Sequence, residues 1–152
     1  MRLFRELLAW AALLAVLALL WTEWRSLPGE IPSHFGLSGA PNHFSGKSSL
    51  LMLPVVSFLL YGLLIVTALS PRILNYPIVV NDKNQAQLQS LALALIGWLK
   101  AEVLWIFVWL TWIAVRTAEG RMHGVPRSFS GASLGVIGVT ILFFVVRMRR
   151  AG

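Results

Sequence analysis

Leu50-Leu51-Met52-Leu53-Pro54-Val55-Val56-Ser57-Phe58-Leu59-Leu60-Tyr61-Gly62-Leu63-Leu64-Ile65-Val66-Thr67-Ala68-Leu69 runs for 20 residues without one charged side chain. An α-helix rises 1.5 Å per residue, so about 20 residues cross the roughly 30 Å of hydrocarbon in a bilayer. A helix on the surface of a soluble domain keeps a polar face, and this stretch has none. It predicts a transmembrane helix. Pro54 falls in the first turns, where a missing backbone donor costs little, and Pro71 closes the run.

Three further segments read the same way. Upstream, Leu7 to Trp21 is almost purely Leu, Ala, Val and Trp, with Arg2, Arg5 and Glu6 before it and Glu23 and Arg25 after it. A cleaved signal would end in a small-x-small site. Here Trp-Thr-Glu-Trp-Arg follows, so the segment is expected to stay as a helix with Trp21 and Trp24 as interfacial anchors. Downstream, past a turn-rich stretch holding Asn75, Pro77, Asn81, Asp82 and Asn84, comes Leu88 to Val115, about 42 Å of helix. It contains Lys100 and Glu102, each costing roughly 2.5 to 3.5 kcal/mol at a bilayer centre. Placing the embedded part at Ile96 to Val115 lets Lys100 extend toward the headgroups, with Asn84 to Leu95 projecting. The fourth run, Ser128 to Val146, ends in Arg147, Met148, Arg149 and Arg150.

Composition agrees. Apolar residues make up 57% of the 152-residue chain and charged ones 12%, about half the charge of a soluble domain. The expected fold is all-α: one integral membrane domain over residues 1–152, with four transmembrane helices near 7–24, 50–69, 88–115 and 128–146 and a loop at 25–47. The net charge of +7 sits in short clusters beside the hydrophobic runs. That pattern points to the lipid bilayer as partner and not to nucleic acid. Without cysteine there are no disulfides, thiolate zinc sites or cysteine nucleophiles. With both termini cytoplasmic, that side carries Arg2, Arg5, Arg72, Lys83, Arg147, Arg149 and Arg150. The other side carries Arg25, Lys47, Arg116, Arg121 and Arg127. The positive-inside bias favours that orientation in a bacterial cytoplasmic (inner) membrane.

The loop from Leu27 to Lys47 is dense in Pro, Gly and Asn, which makes it a chain of turns. It also carries Leu27, Ile31, Phe35, Leu37 and Phe44, which a flexible linker would not need. A compact segment packed on itself or on the helix ends is expected, of the kind that carries function. Its pattern, Leu27-Pro28, Ile31-Pro32-x-His34-Phe35, Gly39-x-Pro41-Asn42 and Lys47, resembles the bacterial membrane domain of unknown function 1648 (DUF1648). That domain also begins SdpI-type toxin-immunity proteins. Asn42 stands where the family carries an acid, and His43 where an aromatic residue is common. The second half does not show the signature of the immunity domain. The resemblance implies that Leu27, Pro28, Ile31, Pro32, His34, Phe35, Gly39, Pro41, Asn42 and Lys47 form a motif between two membrane helices, with Lys47 either anchoring to headgroups or pairing with the loop.

Glu30, His34 and His43 do not supply a helical His-Glu-x-x-His zinc arrangement, so no metal or cofactor is expected, and His34 is read as capping a turn or bonding a backbone carbonyl. On the third helix Trp98, Glu102, Trp105, Trp109, Trp112 and Arg116 recur at spacings of four and three along one face. The plain reading is packing and an interfacial belt. The sharper one is an aromatic groove for a hydrophobic or peptidic ligand with Glu102 as its polar anchor. Lys100 lies about 200° from Glu102 around the helix, so each needs its own partner. Gly131, Gly135 and Gly138 on the fourth helix let backbones approach, within the chain in the first instance or across a homo-oligomer. No Ser-His-Asp constellation or phosphate-cradling loop is evident. The reading is a non-enzymatic membrane protein recognising a ligand or another membrane protein at its outer loop, in immunity, sensing or as an accessory subunit. The alternative is a small oligomeric transporter or channel using Glu102 and Lys100.

Overall fold

The computed structural model describes residues 1–70 and 74–151. Pro71 and Arg72, used above to end a helix and to count charge, lie outside the described residues. Among those described, four helices are long and apolar enough to cross a membrane: α1 (Arg2–Glu23), α2 (Met52–Leu69), α3 (Gln85–Ala118) and α4 (Arg127–Arg149). The expected all-α membrane architecture is therefore what the chain adopts. α1, α3 and α4 run past their apolar stretches into flanking charged residues, because a helix satisfies its own backbone whatever its side chains meet.

One element differs from the expectation. The segment read as a chain of turns contains an antiparallel hairpin, β1 (Glu30–Phe35) and β2 (Pro41–Gly46), followed by a 3₁₀ turn at Lys47–Leu51 that leads into α2. Prolines are tolerated because a two-stranded ribbon has only edge strands, so each can turn its missing donor outward. The register pairs Ile31 with Ser45, Pro32 with Phe44 and His34 with His43, and it shifts on either side of His34. Such a bulge bends a strand and re-aims the side chain next to it.

α3 is the central helix, packed against α1, α2 and α4. In lipid the tails are as apolar as Leu, so helices associate through close contact, which small residues permit. The α1–α3 seam is built that way: Ala9, Ala12 and Ala101 are buried, with Leu13 and Leu104 packed among them. At Gly97 a methyl group would come within 2.9 Å of Arg5 Nε, and Arg5 Nη1 donates to the Ala94 carbonyl at 3.3 Å. A second cluster, at the hairpin end, joins Leu20, Leu27, Ile31, Leu50, Ala114 and Val115. At the opposite end Leu88, Ala92 and Met148 pack with Leu74, Tyr76 and Ile78, so the stretch read as projecting is covered by the 74–84 connection and the end of α4. The expectation that the α4 glycines pack within the chain is corrected: Gly131, Gly135 and Gly138 have nothing within 4 Å of a built Cβ. α4 meets the bundle along another face, with Phe144 and Met148 buried.

Candidate functional site

The hairpin leans over the ends of α2, α3 and α4 and encloses a pocket of about 930 Å³. Ile31, Pro32, Ser33, His34, Phe35, Gly39 and Asn42 form one wall. Ser49, Leu50, Leu53, Leu110 and Ala114 form the floor, and Val125, Pro126, Arg127, Phe129 and Ser130 the far wall. A size in the small-molecule range, an apolar floor and few polar groups are the usual features of a ligand cleft. Two side-chain pairs stiffen the hairpin: His34 Nδ1 with Asn42 Oδ1 at 2.6 Å, and Ser33 Oγ with His43 Nδ1 at 2.8 Å. His34 therefore bonds the side-chain amide of Asn42, in place of the turn capping or backbone carbonyl expected for it. Ser49 Oγ is buried without a partner among the described residues, and Ser49 lines the pocket floor.

Two glycines hold the hairpin to the α3–α4 connection. Val125 N–H donates to the Gly39 carbonyl at 2.9 Å. Gly39 has φ +84° and Gly124 φ +127°, the left-handed half of conformational space open to glycine. A Cβ on Gly39 would fall 2.0 Å from the Val125 carbonyl oxygen, and one on Gly124 2.1 Å from that of Gly39. Only backbone stands there, and it has no rotamer with which to yield. The turn itself is closed by Gly36 N–H to the Ala40 carbonyl and Gly39 N–H to the Gly36 carbonyl, which leaves Leu37 at the tip fully exposed.

Residues 10–58 match the family model of a domain of unknown function, DUF1648. The DUF1648 segment starts within α1, contains the whole hairpin and ends within α2, so every motif residue from Leu27 to Lys47 falls inside it. The chain is also 36% identical over 74 residues to an uncharacterized protein of Archaeoglobus fulgidus, an alignment covering 45% of this chain and 40% of that relative. The chain thus spans well under two thirds of the relative's length. No solved structure matches.

Within the DUF1648 segment the motif residues divide by role. Leu27 and Ile31 are buried in the cluster beneath the hairpin, while Pro32, His34, Phe35, Gly39 and Asn42 face the pocket. Lys47 sits over the Trp24 ring at 5.3 Å, so it meets the end of α1 and pairs with an aromatic residue outside the loop. Pro28 precedes β1 and Pro41 opens β2, and neither lines the pocket. Among the described residues no three His, Asp or Glu side chains are placed to hold a metal. Sequence reading missed Arg127, Phe129 and Ser130, since a pocket wall supplied by α4 leaves no local pattern.

The same end carries an ionic girdle in which Arg116, Glu119 and Arg121, outside the DUF1648 match, meet Glu23 inside it. Arg116 donates to Glu119 Oε2 at 2.8 Å and to Glu23 Oε1 at 3.3 Å; Arg121 approaches Glu119 at 3.5 Å. The hydrogen bond from Arg116, helped by the charges of both arginines and by Ser26, holds the Glu119 carboxyl below the usual carboxylate range.

Deeper in the bundle, the expectation that Lys100 extends to headgroups is overturned. Lys100 is 4% exposed, and its Nζ donates to both Glu6 carboxylate oxygens, at 2.6 and 2.7 Å. It also lies over the Tyr61 ring at 4.9 Å. Burial of an ammonium needs an ionised, well-placed partner, and α1 supplies one across the small-residue seam. Glu102, facing the other way, accepts a hydrogen bond from Thr140 Oγ1 of α4 at 2.5 Å. The 200° separation is thus realised, and the two groups do not line one path within a single chain. The tryptophan stripe is shared out among partners. Trp98 meets Phe4 edge-on, Trp105 Nε1 donates to the Leu8 carbonyl, and Trp109 stacks on Phe129 and meets Trp112 edge-on. Trp105 and Trp109 nevertheless stay about half exposed.

Proposed function

We propose that this chain is a non-enzymatic membrane protein that recognises an apolar or peptidic ligand, or a partner protein, in the pocket beneath its hairpin. The observation that carries the reading is the pocket itself, walled by the DUF1648 motif on one side and by α4 on the other. A segment that only linked two helices would not need the stiffening pairs His34–Asn42 and Ser33–His43, nor two glycines at one contact. The pocket offers an apolar floor with His34, Asn42, Arg127 and the Ser49 hydroxyl as polar contacts, which suits an amphiphilic ligand.

The excess of Lys and Arg on the opposite side favours an extracytoplasmic pocket, with both termini in the cytoplasm of a bacterial-type cell. Toxin immunity, sensing or an accessory-subunit role would each give such an outward-facing pocket a use, and the resemblance to the start of immunity proteins draws attention to secreted peptides as ligands. Co-purification in mild detergent should recover a specific partner or ligand from wild-type protein and lose it on His34→Ala or Phe35→Ala. Equal recovery from both variants would overturn the reading.

A further inference from the structure

A second opening lies within the membrane-spanning part, between α3 and α4 and against α1. It is about 520 Å³, lined by Trp98, Glu102, Trp105, Trp109, Phe129 and Val136 among others. Among the described residues Glu102 is the only charged side chain in its lining. One Glu102 oxygen takes the Thr140 hydroxyl, while the other is buried and without a partner among the described residues. Glu6 faces Lys100, and Glu23 and Glu119 face Arg116. Among the described residues Glu102 therefore stands apart as the acid of the membrane-spanning helices with no cation beside it.

An intramembrane carboxylate is costly and marks a functional position. Here it is set among indole rings, which carry negative charge on their faces and attract cations, more so where water is excluded. Carboxylate and aromatic faces both select positive charge, and the apolar remainder of the groove selects a greasy body. We infer that this groove binds a lipophilic monocation, such as a protonated or quaternary amine carried on an apolar frame, with its charge against Glu102 and its frame against Trp105 and Trp109. The site is separate from the hairpin pocket: the two share only Pro126 and Phe129 in their linings.

Tetraphenylphosphonium is a suitable probe, because tetraphenylborate has the same shape and the opposite charge. Full-length protein in maltoside micelles, titrated by calorimetry and tryptophan fluorescence against protein-free micelles, should bind the cation saturably and not the anion. Glu102→Gln should weaken binding at least tenfold, Glu102→Asp should restore part of it, and Trp105→Leu should weaken it severalfold. His34→Ala should leave it unchanged, which separates this site from the hairpin reading. Equal binding of both ions, no saturable binding of either, or wild-type affinity in Glu102→Gln would overturn the proposal. Should Glu102→Gln fail to fold, the comparison of cation with anion on wild-type protein and the Trp105→Leu variant decide it.

Discussion

Toward α1, α3 places Ala101, Gly97 and a lysine met by a counter-charge; toward α4 it places Trp109 and a glutamate met by a hydroxyl. On the first face Ala101 and Gly97 admit α1 closely, and Lys100 is enclosed by Glu6 and Tyr61. On the second, Trp109 stacks on Phe129 of α4, one Glu102 oxygen has no partner among the described residues, and the α4 glycines have nothing within 4 Å of a built Cβ. One helix thus has a closed side that carries stability and an open side with room for a ligand. Alanine and glycine let α1 approach until an ion pair closes, whereas on the other side a groove remains beside the indoles, between α3 and α4.

The largest effect should come from breaking the closed side. Glu6→Gln leaves a buried ammonium uncompensated and should cost about 3 kcal/mol, read as a lower thermal midpoint in detergent. Glu6→Gln with Lys100→Met should recover most of that loss. A double variant no better than the single one would show that the ion pair is not what closes the seam.

Next comes the contact between hairpin and helix connection. Gly39→Ala forces a side chain into a left-handed backbone position and against the Val125 carbonyl, costing about 2 kcal/mol. Hydrogen exchange at the Val125 amide should speed up while amides in the α1–α3 seam stay protected. Uniform loss of protection would mean that the two regions unfold together.

A smaller effect belongs to the girdle. The folded-state Glu119 carboxyl lies below the unfolded value of about 4.3. Its contribution is therefore present above that value and is lost as pH falls through the folded one. The thermal midpoint should decline less on acidification in Glu119→Gln than in wild type, and identical profiles would remove the girdle from the account. The smallest change is expected on the open side. Gly135→Ala fills empty space and should be neutral or stabilising by up to about 1 kcal/mol through helix propensity, whereas a clear loss would reveal a partner on α4.

Much of the fold could be read locally. Leu50 to Leu69 has no soluble interpretation, and the 200° between Lys100 and Glu102 follows from helix geometry. The hairpin was hidden because Pro32, Gly36, Gly39 and Pro41 all read as turn residues, and only the pairing of Ile31 with Ser45 and of His34 with His43 makes strands of what lies between. The motif marked one wall of the pocket, and nothing near it in the chain announced Arg127 or Phe129.

Solvent was determined by the sequence alone, since uninterrupted apolar runs of membrane length leave the backbone no way to satisfy itself in oil except as helices. Partnership was decided by tertiary structure. That Lys100 meets Glu6, that Gly39 meets Val125 and that Glu102 is left with Thr140 are long-range facts. They depend on which helix faces come together and how closely, and no local pattern of hydrophobicity encodes the size of the gap between two helices.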